Sequence, residues 1–109
     1  MSVPLPESIT AFFHASNDGT AAAPLKNVFT ANAAVVDEHQ THQGYEAIEA
    51  WLADAQRKYA YTVEPLSATT DGDTVTVLAR CAGNFPGSPV QLEHVFKLSG
   101  DRIARLEIR

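Results

Sequence analysis

Apolar residues enter this chain at helical spacing and later in alternation, and the change of period divides it. Leu5, Ile9, Phe12 and Phe13 fall on one stripe of a helix that opens at Pro4-Leu5-Pro6-Glu7, where proline suits the first turn. Asn17-Asp18-Gly19 stops it. Thr20 can cap a short second helix from about Ala21 to Phe29, with Pro24 in its first turn and Leu25, Val28 and Phe29 turned inward. Ala33 to Asp37 reads as a strand, and Thr41 to Gln43 as a short return before Gly44 breaks the chain. A third helix follows from about Tyr45 to Lys58, with Ile48, Trp51, Leu52, Ala55 and Tyr59 on one face.

After that helix the period is two. Tyr61 to Thr69 is a strand, and Asp71-Gly72-Asp73 is a hairpin turn. Thr74 to Ala82 places Val75, Val77, Ala79 and Cys81 on one face. Asn84 to Pro89 (NFPGSP) is a loop, and Val90 to Leu98 and Arg102 to Ile108 form a last hairpin around Ser99-Gly100-Asp101. No repeat, low-complexity segment or linker interrupts this order. The series α-α-β-β-α-β-β-β-β predicts one α+β domain over residues 1–109, with helices on one face of a curved sheet.

Composition narrows the function classes. The 109 residues support one core of modest size, and a hydrophobic content of 45% is that of a folded chain. Thirteen acidic side chains against eight basic ones leave a net charge of −5. Without a clustered basic face, a nucleic-acid partner is not expected. The longest basic cluster, Arg57-Lys58, suits the C-terminal end of a helix. A single cysteine, Cys81, excludes an intrachain disulfide and fits a reducing compartment, so a cytoplasmic location is expected. MSVPLPESITAFF lacks the positive region and apolar run of a signal peptide, and no stretch reaches the apolar length of a membrane span. No membrane partner is expected.

The chemistry concentrates in residues 35–44, VVDEHQTHQG. By alternation Val35 and Asp37 share one face, and Val36 and Glu38 the other. A carboxylate closing an apolar strand is partly desolvated, which raises its pKa toward the range useful for proton transfer. The bland alternative is that Asp37 bonds to the turn after it. His94 alternates in phase with Leu92, Phe96 and Leu98, which places it on the buried face, as a core histidine or as a pocket group. His14 points away from Phe12, toward the surface. Asp37, His39 and His42 are near in sequence, but without a fourth ligand at recognisable spacing no metal is expected. Cys81 reads as a small core residue. No Gly-x-Ser-x-Gly elbow occurs, and NFPGSP precedes a strand, so it has no helix N-terminus to cradle phosphate. No cofactor is implied.

Four segments carry a resemblance: FFHASNDGT ending the first helix, VFTANAAVVD entering the first strand, HQGYEAIEAWL opening the third helix, and LEHVFKLSGDRIARLEI as the last hairpin. With the element order, they make nearly the whole chain resemble the nuclear transport factor 2-like α+β domains. That group includes ketosteroid isomerases, scytalone dehydratases and SnoaL-like polyketide cyclases. The resemblance implies a cone-shaped, cystatin-like fold, in which a strongly bent, mostly antiparallel sheet wraps around three helices. It also implies an apolar pocket at one end and a homodimer formed through the sheet's outer face. Asp37 matches the general-base aspartate of the isomerase-like relatives. Their pocket acid or hydrogen-bond donor falls at His94, or at Glu93 if the register slips. The chain departs from the isomerase pattern at Phe12, where that family carries a tyrosine donor.

The implied wall of the pocket draws on Phe12, Phe29, Val35, Trp51 and Tyr59. Tyr61, Val77, Phe85 and Phe96 complete it, with His39 at the rim and Trp51 closing it. Three functions follow from the resemblance. One is acid–base isomerisation, dehydration or cyclisation of a small apolar molecule, without metal. Another is a non-catalytic ligand-binding or dimeric domain. The third is a protein-interaction adaptor. The fold alone does not choose among them.

Overall fold

The computed structural model describes residues 5–18 and 25–109, apart from the side chains at positions 56 and 59. Helix α1 spans Glu7–Asp18, and α2 is the single turn Leu25–Val28. Strands β1 (Phe29–Asp37) and β2 (Gln40–Gln43) form a hairpin, and α3 runs Tyr45–Tyr59. Strands β3 (Thr62–Asp71), β4 (Thr74–Ala82), β5 (Val90–Ser99) and β6 (Arg102–Ile108) follow. The expected order holds, and β4 and β6 fall on their expected bounds. Several other bounds shift by one or two residues, as in β3, which runs Thr62–Asp71 against the expected Tyr61 to Thr69, and the largest change is at β1. Phe29 opens β1 instead of closing the second helix, and β1 starts four residues earlier than its apolar end suggests. The threonine and asparagines of FTANA hid the first half of that strand. The expected cap Thr20, the helix start at Ala21, and Pro4 and Pro24 lie outside the described residues.

The six strands make one sheet in the order β2-β1-β6-β5-β4-β3. Strands β3 to β6 pair antiparallel in sequence, while β1 lies parallel to β6, with Val35 opposite Leu106. Register shifts occur at Phe29/Ala34, Pro65/Ser67 and Lys97/Leu98, irregularities of the kind that bend strands. Alternation then decides the faces. Val75, Val77, Ala79 and Cys81 of β4, His94 and Phe96 of β5, and Ile103 and Leu106 of β6 are buried on the side that the helices cover.

Local devices hold the helices in place. The Pro6 carbonyl accepts the N–H groups of Ile9 and Thr10 at 3.0 Å, starting α1. At its far end the Asn17 amide grips β3: its Nδ2 donates to the Val63 carbonyl at 3.1 Å, and its Oδ1 accepts the Val63 N–H at 2.7 Å. Gly44, at φ +89°, turns the chain from β2 into α3 and accepts the first α3 bond from Ile48 N–H at 3.0 Å.

The core is aromatic at its centre. Phe12 packs edge-on against Phe13, Phe29 and Phe96, with centroids 5.3, 6.1 and 5.5 Å away. It also stacks on Trp51 at 6.2 Å. This cluster fills one end of the space between sheet and helices and leaves the other end open. No helix among the described residues is long and apolar enough to cross a membrane.

Candidate active site

The open end is a cavity of about 420 Å3, a size usual for small-molecule sites. Tyr61 and Val63 of the β3 edge, Cys81 of β4, and Val90, Leu92 and His94 of β5 line it. Ser16 of α1, Trp51 and Ala55 of α3, Ile108 of β6, and Asp37 with Glu38 complete the wall. Phe85 and Pro86 cover it from the 83–89 loop, which is tied by Gly83 N–H to Ser88 Oγ at 2.9 Å and Ser88 N–H to the Phe85 carbonyl at 3.2 Å.

Asp37 ends β1, opposite Gln40 of β2. Glu38 and His39 between them make a two-residue turn with φ +52° and +65°, a conformation that usually selects glycine or asparagine. The turn sends Glu38 to the cavity rim and His39 out to solvent. Trp51 Nε1–H donates to Asp37 Oδ2 at 3.1 Å. The indole is held between Phe12 and the His42 ring, whose centroid is 6.0 Å away. Burial raises the Asp37 carboxyl above its ordinary range. The Trp51 hydrogen bond opposes that rise, Glu38's charge adds to it, and His42 and the Glu38 backbone work against it.

Burial favours the neutral forms of His94, Cys81 and Tyr61 in the wall. Burial lowers His94 to about 4, against the pull of the Leu92 backbone, and its Nδ1 meets no partner at hydrogen-bond geometry. Burial pushes the Cys81 thiol up to about 11, with Asp37's charge adding to the effect, so Cys81 is no nucleophile at neutral pH. Tyr61 Oη and Ser16 Oγ share a hydrogen bond of 2.7 Å. Burial raises the Tyr61 phenol, and the Ser16 bond opposes the rise. A more polar groove of about 600 Å3 adjoins the cavity, sharing Asp37, Glu38 and Trp51 with it and running past His42, Asp54, Arg57 and Lys58.

Asp37, His94, Trp51, Tyr61 and Phe85 come together at the cavity, as the sequence pattern proposes. Five expected wall residues do not. Phe12, Val35, Val77 and Phe96 are completely or almost completely buried in the core. Phe29 joins them there, and the Tyr59 side chain lies outside the described residues. The reason is displacement along the strands. The α1 phenylalanines fill the space beside Val77 and Phe96, so the open volume lies two to four residues further on, at Leu92 and Cys81. His39 is not at the rim either, because the tight turn points it outward. Cys81, expected as core, is buried in the core cluster and also lines the cavity.

Ser16, Val63 and Leu92 were not anticipated in the wall. Two of them carried a usable signal: Ser16 lies four residues after Phe12 on the same helical stripe, and Leu92 alternates in phase with His94. Among the described residues, no three His, Cys, Asp or Glu side chains converge as a metal site.

The SnoaL-like domain family model matches residues 9–106. A Sinorhizobium meliloti protein described as a candidate polyketide cyclase is 41% identical, with 96% of this chain and 95% of that one covered and a TM-score of 0.90. A Catenulispora acidiphila protein with a ketosteroid isomerase-like fold, solved in complex with trimethylamine, is 24% identical over 97% of this chain and 86% of that one, with a TM-score of 0.79. A candidate SnoaL-like polyketide cyclase from Jannaschia sp. is 18% identical over 94% and 82%, with a TM-score of 0.75. At those identities the last two speak to the fold alone. Among curated proteins none matches the chain. The match over nearly the whole chain and the similarity to the Sinorhizobium protein agree with the sheet, the three helices and the cavity: this chain belongs to the SnoaL-like domain family.

Proposed function

We propose that the cavity holds a small, mostly apolar molecule and that Asp37 moves a proton on it, as general base, in an isomerisation, dehydration or cyclisation. One observation supports this reading above the others: Asp37 is a desolvated carboxyl in the wall of an apolar cavity, aimed by the Trp51 N–H at 3.1 Å. A carboxyl raised above its ordinary range is a stronger base when ionised. The Tyr61–Ser16 hydroxyl pair supplies a polar contact in the same wall. The description of the Sinorhizobium relative as a candidate cyclase fits this reaction class.

A second reading, ligand binding without turnover, is favoured by His94. Lowered to about 4, it is a neutral imidazole at physiological pH, so Asp37 lacks a charged acid partner there.

Proton abstraction can be measured without the natural substrate. Deuterium exchange at the α-carbon of 2-tetralone in heavy water, followed by NMR, should be accelerated by the protein. Asp37→Asn should lower the protein-promoted rate by about 10²–10⁴-fold while leaving tetralone binding in place. Tetralone that binds but exchanges no faster than in buffer, with Asp37 titrating as an ordinary aspartate, would leave the binding reading alone.

A further inference from the structure

The charge of the cavity wall is one-sided. Asp37 and Glu38 line it, and no lysine or arginine does among the described residues. Arg57 and Lys58 line the neighbouring groove, which Asp37, Glu38 and Trp51 also border, and not the cavity. His94 and Cys81 are neutral at physiological pH and offset nothing. Three aromatic side chains, Trp51, Tyr61 and Phe85, line the same cavity as the two carboxylates. An aromatic face carries negative electrostatic potential, but the Trp51 indole is stacked on Phe12 and His42, so the aromatic contribution to this wall falls to Tyr61 and Phe85. Asp37 is met by the Trp51 N–H and by the Glu38 backbone, and a carboxylate has room for about four hydrogen bonds. The whole chain, at −5, adds a field of the same sign.

We infer that this cavity is a binding site for a small organic cation, a protonated or quaternary amine bearing an apolar group, with Asp37 as counter-charge and Tyr61 and Phe85 as its aromatic contacts. The inference rests on the proposed role of the cavity as a small-molecule site and adds the charge of its occupant. An anion entering here meets two carboxylates and, among the described residues, no lysine or arginine in the wall. A neutral molecule gains the apolar wall but leaves Asp37 without a counter-charge. A cation with apolar substituents gains both. The aromatic rings return part of its lost hydration, and the carboxylate gains a partner in a partly desolvated setting, where the attraction exceeds that in water.

Three probes of nearly one shape separate these cases: choline, its uncharged carbon counterpart 3,3-dimethylbutan-1-ol, and the carboxylate 3,3-dimethylbutanoate. The only tryptophan in the chain, Trp51, lies in the wall, so its fluorescence reports occupancy of this site. The native protein should bind choline about tenfold more tightly than the alcohol and the alcohol more tightly than the carboxylate. Asp37→Asn, which keeps the side-chain shape, should bring choline and the alcohol to within about twofold of each other, with binding of the alcohol showing that the variant is folded. The inference is overturned by an alcohol that binds as well as choline, by a choline preference that survives Asp37→Asn, or by no saturable response to choline. Equal binding of alcohol and choline together with Asp37-dependent exchange of tetralone would remove the cation and leave the proton-transfer reading intact.

Discussion

Asp37 and Trp51 are joined by one hydrogen bond, and its removal has a predictable sign. The indole N–H stabilises the ionised carboxylate against the burial that disfavours it. Trp51→Phe keeps an aromatic ring beside Phe12 and His42 but removes the donor. The Asp37 pKa should rise further in that variant, as read by carbon-detected NMR titration of the carboxyl. An unchanged or lower value would mean that the 3.1 Å contact does not tune the acid.

His94 gives a second residue-scale expectation, this time in stability. Its pKa falls from 6.5 to about 4 on folding. Between those values the unfolded chain binds more protons than the folded one. The stability contributed by neutral His94 is therefore complete above about 6.5 and is lost as the pH falls toward 4. Moving from one value to the other is worth about 3 kcal/mol, as an upper figure. Asp37 acts with the opposite sign. Its raised pKa contributes stability at low pH that is lost as the pH rises through its folded value. Urea unfolding from pH 7 to pH 4 should show a steep loss in the native protein and a flatter profile in His94→Leu, with Asp37 common to both. Parallel profiles would place no buried neutral histidine at this position.

At the scale of elements, the amide of Asn17 is the clearest tie. It satisfies both backbone groups of Val63 and so fixes the end of α1 to the edge strand β3. The neighbouring Ser16–Tyr61 bond lies in the cavity wall, so this tie also sets the wall's geometry. Asn17→Ala should cost about 1–3 kcal/mol by chemical denaturation and should weaken binding of the cavity probes. The exposed Asp54–Arg57 pair on α3, at 2.8 Å, is a contrast, since both side chains are well solvated and such pairs contribute little. Sequence reasoning reads Asn17 only as part of a helix stop. Its hydrogen bonds reach residues far along the chain, and no local pattern carries that information.

At the scale of the whole molecule, the outer face of the sheet carries half-buried Leu78 and Val95 on neighbouring strands, with Leu66 of the edge strand 38% exposed. An apolar strip on an open sheet is commonly covered by another copy of the chain. We expect a homodimer through this face. Light scattering should give a dimer mass, and Leu78→Lys with Val95→Glu should give a monomer that remains folded. A monomer mass for the native protein across a wide concentration range would exclude it.

The sequence by itself determined the elements, their faces and the best candidate group. Period 3.6 and period 2 are local properties, so α1, α3 and β4 to β6 could be read from a few residues each. The shared face of Val35 and Asp37 followed from the same rule. Tertiary structure decided which strands became neighbours. Strand β1 lies parallel to β6, a pairing between residues some seventy positions apart, as for Val35 and Leu106. Tertiary structure also decided where the empty space would be. Alternation gives every inward residue of a strand the same standing, and nothing local tells Val77 from Cys81 or Phe96 from Leu92. The difference arose when Phe12 and Phe13 of α1 came down on one end of the sheet and filled it. A cavity is the volume left after all elements have packed, and it has no signature in any one of them.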